Sequence, residues 1–192
     1  MRQGLNRQTV IEAAAEIAEE EGFEKITLAS VAKKLHIKTP SLYNHIDNLM
    51  DLKKALACYG IQKFAAALAE PAIGKSGDDA LYAIGTAYVD FVRCHQGLYE
   101  AITRVPDPTD SEFEQESDKI LKLLGKVMEG YHLDHEEAIH AVRGLRSIAH
   151  GFSSLELNHG FNMNASKQKS LRWMLEAYMT GMKAMKKSNV LK

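Results

Sequence analysis

Lys25-Ile26-Thr27-Leu28-Ala29-Ser30-Val31-Ala32-Lys33-Lys34-Leu35-His36-Ile37-Lys38-Thr39-Pro40-Ser41-Leu42-Tyr43-Asn44-His45-Ile46 reads as two short helices with a break between them. Thr27 is placed to cap the first, whose apolar face is Leu28, Val31, Ala32 and Leu35 at three- and four-residue spacing. His36-Ile37-Lys38 interrupts that spacing. Thr39 is expected to cap a second helix, with Pro40 at its first position, where a missing N–H costs nothing. That helix is short, Pro40 to about Ile46. Two helices joined by such a turn form a helix-turn-helix. The second helix of such a pair enters the major groove of DNA, with its N-terminal residues towards base edges. Lys38, Thr39, Ser41, Leu42, Tyr43 and His45 supply charge, hydroxyls, an apolar tip and a phenol there. Helix N-termini also present free N–H groups to phosphate, which Thr27 and Thr39 are placed to exploit.

Outward from this segment, the chain continues to read as helix. Upstream, Val10, Ile11, Ala14, Ile17 and Ala18 recur at helical spacing with glutamates between them, and Gly22 is a C-terminal stop. Downstream, a helix from about Asn48 to Glu70 is ended by Pro71, Gly74 and Gly77. The next, from about Asp78 to Cys94, carries Leu81, Ile84, Tyr88, Phe91 and Val92, and a short one follows from about Gln96 to Arg104. Pro106 and Pro108 break the chain. Ser111-x-x-Glu114 and Asp134-x-x-Glu137 are capping-box patterns opening two more helices, one ending near Tyr131 and one running towards Gly160. A last helix covers about Ala165 to Lys187. The 192 residues therefore predict an all-α fold of about nine helices. It divides into an N-terminal three-helix domain with the helix-turn-helix, residues 1–47, and a larger helical domain, residues 48–192.

Charge distribution says more than the total. The formal net charge of −1 singles out no partner. Between Gly22 and Lys54, however, six lysines stand against three acids, whereas the preceding helix carries Glu12, Glu16, Glu19, Glu20 and Glu21. A basic face meeting phosphates is compatible with acids pointing elsewhere.

The order of residues in the head resembles the TetR family of bacterial regulators. The likeness lies in Val10-Ile11-Glu12-Ala13-Ala14, then Glu21-Gly22-Phe23-Glu24-Lys25-Ile26-Thr27-Leu28, Val31-Ala32-Lys33-Lys34-Leu35 and Ser41-Leu42-Tyr43-Asn44-His45-Ile46. It covers roughly the first 55 residues. The resemblance implies that Thr27 touches phosphate, that Lys38, Thr39, Ser41 and Leu42 face the groove, and that Tyr43 and His45 clamp the DNA backbone. Two positions depart from the family pattern. His36 stands where the turn often has glycine, and histidine tolerates the left-handed conformation better than most residues. Leu49 replaces a lysine that reaches phosphate, a contact that Lys53 or Lys54 would have to supply.

A second likeness covers Arg143 to Phe161, which is similar to TetR regulators carrying a Trp-His-Gly signature. Ala149 occupies the Trp position, while His150 and Gly151 remain. The resemblance implies that the last two helices pair with those of a second copy. Phe152, Leu155, Leu171, Met174 and Tyr178 are the expected interface, although the same periodicity serves packing within one chain. A palindromic double-stranded DNA operator needs two heads about one helical turn apart, roughly 34–36 Å, or a multiple, so a homodimer is expected. The regulatory helices are expected to enclose a small-molecule effector. Tyr82, Tyr88, Phe91, Tyr99, Phe113, Met128 and His150 are candidate lining residues with Trp173 nearby, and His95 or His150 is a polar anchor. The alternative for each is ordinary core. Aromatics and methionines suit an apolar or aromatic ligand. The implied function is a DNA-binding transcriptional repressor released from its operator by that ligand.

Catalytic and cofactor patterns are absent from the sequence. His132, His135, Glu136 and His140 lack zinc-protease spacing, because His135 and His140 diverge by about 140° around a helix. No nucleophile elbow, phosphate-binding loop or dinucleotide fingerprint occurs, so neither enzyme, metal nor cofactor is expected. Cys58 and Cys94 form no disulfide framework, which fits a reducing compartment. No signal peptide or membrane-length apolar run is present, and a cytoplasmic protein with no membrane partner is expected. A competing reading is a helical ligand-binding or adaptor protein whose head no longer reads DNA.

Overall fold

The computed structural model describes residues 4–105 and 111–189, the last four of these by their backbone only; Pro106 and Pro108 lie outside the described residues. The fold is all-helical. Its α-helices are α1 (Arg7–Glu21), α2 (Leu28–Lys34), α3 (Leu49–Ala69), α4 (Gly77–Cys94), α5 (Gln96–Arg104), α6 (Ser111–Glu129), α7 (His135–Leu157) and α8 (Lys167–Asn189). A 3-10 helix, Thr39–Asn44, occupies the place of the expected third helix, and shorter 3-10 turns cover Phe23–Lys25 and Glu70–Ala72.

The boundaries follow from local chemistry. Asn6 caps α1 by accepting from the Thr9 N–H at 2.8 Å. Gly22 ends it at φ 101°, a conformation costly for a side-chain-bearing residue. Thr27 and Ser30 form a reciprocal box at the start of α2, and Asp134 and Glu137 do the same for α7. Three histidines, His36, His132 and His159, have positive φ (56°, 55° and 54°) where helices or turns end. His36 thus takes the left-handed turn position anticipated for it.

The chain divides into two compact units: Met1–Phe64 with Cys94–Ser117, and Ala65–Arg93 with Asp118–Lys192. The first extends beyond residues 1–47, since it also holds most of α3 and all of α5. Its core gathers Val10, Ala14 and Ile17 of α1, Val31 of α2, Leu42, Ile46, and Leu52 and Leu56 of α3, all buried. Each large apolar side chain among them contributes about 1.5–3 kcal/mol by leaving water. Helix α5 lies against α1 so closely that a Cβ on Gly97 would sit 2.3 Å from the Ala18 carbonyl carbon. The Glu19 carboxylate completes this contact by accepting from the N–H groups of Gly97 (3.0 Å) and Leu98 (3.2 Å), donors that a helix N-terminus leaves open.

The second unit packs α4 against α7 and α8. Leu81, Ile84 and Val89 are buried together with Leu145, Ala149, Phe152, Leu171 and Leu175. At Gly85 a Cβ would come within 2.9 Å of Leu175, and at Gly144 within 2.7 Å of the Tyr178 hydroxyl, so both glycines permit close helix contact. Arg93 forks onto Glu156 at 2.6 and 3.1 Å, joining α4 to α7. Tyr131 donates to Asp78 at 2.7 Å, and burial together with that carboxylate pushes the phenol's pKa up.

Candidate nucleic-acid interface

The head places its reading elements by a few identifiable contacts. Ser30 N–H donates to Thr27 Oγ1 at 3.0 Å and Thr27 N–H donates to Ser30 Oγ at 2.9 Å. This engages the Thr27 hydroxyl in a cap while the residue stays exposed at the start of α2. After the His36 turn, Lys38 rather than Thr39 is the cap residue of the next helix, without a side-chain cap bond. Thr39 is thus its first residue and Pro40 its second, one position later than expected. Ser41 N–H reaches Lys38 O at 2.9 Å and His45 N–H reaches Leu42 O at 2.9 Å, giving the tighter 3-10 winding, while Ile46 N–H closes on Leu42 O at 3.0 Å.

This winding distributes the candidate residues clearly. Lys38 and Tyr43 are exposed, Tyr43 by 56%, and Thr39, Ser41 and His45 are half-buried at the surface. Leu42 is fully buried, which corrects its expected place in the groove. Its apolar side chain anchors the recognition helix to the core instead. Lys53 Nζ lies 4.6 Å from the centroid of the Phe23 ring, a cation–π contact within the head. Lys34 is paired with Glu16 at 3.0 Å and Glu20 at 2.8 Å, so part of the acidity of α1 is neutralised by α2. Leu49, the departure noted above, is the first residue of α3 and half-buried.

The other candidates separate by unit. In the second unit Tyr88, Phe91 and Met128 are buried and Tyr82 is half-buried beneath the Arg172 guanidinium, 5.9 Å from its ring centroid. In the first, Tyr99 meets the Phe64 ring edge-on at 6.1 Å and Phe113 is half-buried. His150 is exposed on α7, which corrects its expected place in an interior, and His95 is exposed with Nδ1 3.7 Å from Glu19. Phe152 and Leu171 are each 1% exposed, which corrects their assignment to a surface between copies. They pack within one chain because the apolar stripe of a helix marks its most buried side first. Leu155 is half exposed, Met174 and Tyr178 are half-buried, and the Tyr178 hydroxyl donates to Ala141 O. Trp173 faces outward, 70% exposed.

Several site residues carry no sequence signal. Arg7 and Asp51 meet across 44 positions, and Glu19 reaches Gly97 across 78. Thr86 Oγ1, on α4, is buried without a hydrogen-bond partner.

A capped helix, a left-handed turn and a short recognition helix with exposed polar residues define a helix-turn-helix regulator. The chain belongs to the TetR family. Residues 10–48 match the family of bacterial regulatory proteins of tetR type, and residues 81–178 match the tetracyclin repressor-like C-terminal domain. The HTH-type transcriptional regulator YobS of Bacillus subtilis (strain 168) is 36% identical over 183 residues, 94% of each chain. A protein from Rhodococcus sp. RHA1 shares the fold with a TM-score of 0.79 at 16% identity, covering 94% of this chain and 96% of that one. The Bacillus subtilis regulator FadR in complex with stearoyl-CoA does so with a TM-score of 0.69 at 14% identity, covering 91% and 98%. TetR-family regulators bind operator DNA and small-molecule effectors, usually as dimers, and as a class they regulate transcription rather than catalyse reactions. No helix among the described residues is long and apolar enough to cross a membrane.

Proposed function

We propose that this regulator is a cytoplasmic repressor that binds a palindromic operator as a homodimer and leaves it when a small apolar or aromatic ligand binds. The observation that carries the reading is the helix-turn-helix itself, family-matched and presenting Lys38 and Tyr43 to solvent beside Thr39, Ser41 and His45. In this reading Thr27 and Lys38 meet phosphate or groove, Tyr43 and His45 hold the DNA backbone, and Leu42 supports them from the core. Helix α3, whose residues belong to both units, is the covalent link nearest in sequence to the recognition helix, and through it an effector biases the head.

Within the second unit, Tyr82, Tyr88, Phe91 and Met128 are the proposed effector contacts, and the orphaned Thr86 hydroxyl offers one hydrogen-bonding point. FadR of Bacillus subtilis, which shares the fold, has been seen with stearoyl-CoA. That supports an effector with a substantial apolar part here. The proposed dimer surface is the outer side of α7 and α8. Ser154 and Leu155 are exposed on α7 beside His150, and Trp173, Ala177 and Gly181 on α8. Small residues around one large aromatic ring let two helix pairs approach closely.

The test is titration of the purified chain against genomic fragments, including the DNA flanking its own gene, at two salt concentrations. Selective binding weakened by salt, followed by release with added effector, supports the repressor. Feeble, unselective binding, with a control regulator active in the same assay, favours a helical ligand-binding or adaptor protein whose head no longer reads DNA.

A further inference from the structure

The recognition helix is fastened at its C-terminal end by a residue from the first turn of α1. Arg7 Nη1 donates to the His45 carbonyl at 2.9 Å and to Asp51 Oδ2 at 3.0 Å, while Nη2 donates to Asp51 Oδ1 at 2.7 Å. Asp51 Oδ2 also accepts from the Asp47 N–H at 3.0 Å, and the Asp51 N–H donates to Asn48 Oδ1 at 3.0 Å. The guanidinium therefore holds the His45 carbonyl at the end of the recognition segment and, through Asp51, the first turn of α3, while the same carboxylate holds the linker at Asp47. A cation at the carbonyl end of a helix is favourable, and the planar fork of arginine fits carboxylate and carbonyl together in a way lysine does not reproduce. The recognition helix is short, 3-10 wound and without a side-chain cap at its start, so its angle depends on Leu42 beneath it and on this knot at its end.

We propose that Arg7 is a positioning residue for DNA reading, fixing the exit of the recognition helix through Asp51 and the His45 carbonyl rather than by contacting DNA. The proposal rests on the DNA-reading function.

The test uses the full-length protein and duplexes it enriches from a random-sequence pool, with an unrelated duplex of equal length as control. Arg7→Met, Arg7→Lys, Asp51→Asn and the Arg7→Met/Asp51→Asn pair are compared at several salt concentrations, well below their melting temperatures. The Asp51→Asn change retains an acceptor for the Asp47 N–H but loses the charge that holds Arg7. Each single variant should bind the enriched duplex about tenfold or more weakly, by loss of a charged hydrogen bond. The unrelated duplex should be bound nearly as before, the pair should be no worse than either single change, and the salt slope should stay at the wild-type value. Arg7→Lys keeps the charge and still loses selectivity, which separates positioning from a charge contact with phosphate, while preserved binding of the unrelated duplex separates it from a folding defect. Unchanged selectivity in all variants overturns the proposal. So does a salt slope reduced by about one in Arg7→Met with no effect of Asp51→Asn, which makes Arg7 a phosphate contact. If the wild-type protein enriches no sequence, the DNA-reading function fails first and takes this inference with it.

Discussion

Single residues in this protein carry unequal weight, and their neighbours say which. Gly97 has the Ala18 backbone where a Cβ would go, with nothing flexible to yield. Gly97→Ala should therefore destabilise the first unit by about 3 kcal/mol or more, the range of severe overpacking, read as a drop in the thermal or urea midpoint. Thr86 is the opposite case. Its buried hydroxyl has no partner, and Thr86→Val replaces it with a methyl of the same shape. That change should raise stability by about 1 kcal/mol, the cost of an unsatisfied buried hydroxyl, while weakening any ligand that hydrogen-bonds there. Asp51 gives a pH dependence. The Arg7 guanidinium, aided by the Asp47 N–H, holds its carboxyl below the ordinary carboxylate range. A lowered folded-state pKa stabilises the fold fully above the unfolded value of about 3.9 and ceases to do so as pH falls through the folded one. Wild type should accordingly lose stability more steeply than Asp51→Asn as pH is lowered below about 4, in urea melts at matched ionic strength.

At the scale of elements, the recognition helix combines a buried anchor, Leu42, with an exposed edge proposed to read DNA. Leu42→Ala should cost about 2–5 kcal/mol, as for other buried leucines, whereas Tyr43→Ala should leave the melting midpoint nearly unchanged and weaken operator binding. A parallel melt and DNA titration of both variants checks this crossing pattern. The same helix shows how far sequence reasoning reaches. Apolar spacing places α1, α2, α4 and α7 close to their observed limits, because burying one stripe is what makes each of them stable. The capping patterns at Thr27 and Asp134 mark two helix starts for an equally local reason. Local spacing does not tell a 3-10 turn from an α turn across six residues, and the resemblance turns Leu42 towards the groove when the side chain lies in the core. It also favours the most apolar stripe, and so selects Phe152 and Leu171 for a surface between copies although they fill the interior of one. Arg7, Asp51 and Glu19 are not legible because their partners lie 44 and 78 positions away and no local pattern announces such a contact.

For the whole molecule, the outward face of α7 and α8 is the feature with the broadest consequence. Gly151 and Gly181 have open space where a side chain would stand, and Trp173 stands exposed on α8. Trp173→Glu should shift the proposed dimer towards monomer in sedimentation velocity and, since a palindrome is read by two heads, weaken operator binding at low protein concentration. The division into units has a consequence of a different kind. The compact unit that reads DNA draws on Met1–Phe64 and again on Cys94–Ser117, with α5 seated on α1. A nascent chain emerging from the ribosome must therefore hold an unfinished head, the α5-binding side of α1 uncovered, until synthesis has passed from Phe64 through Arg104, the end of α5. Pausing of translation within the intervening stretch would prolong that exposure, so the order of synthesis itself sets a window in which chaperones or proteases meet this regulator.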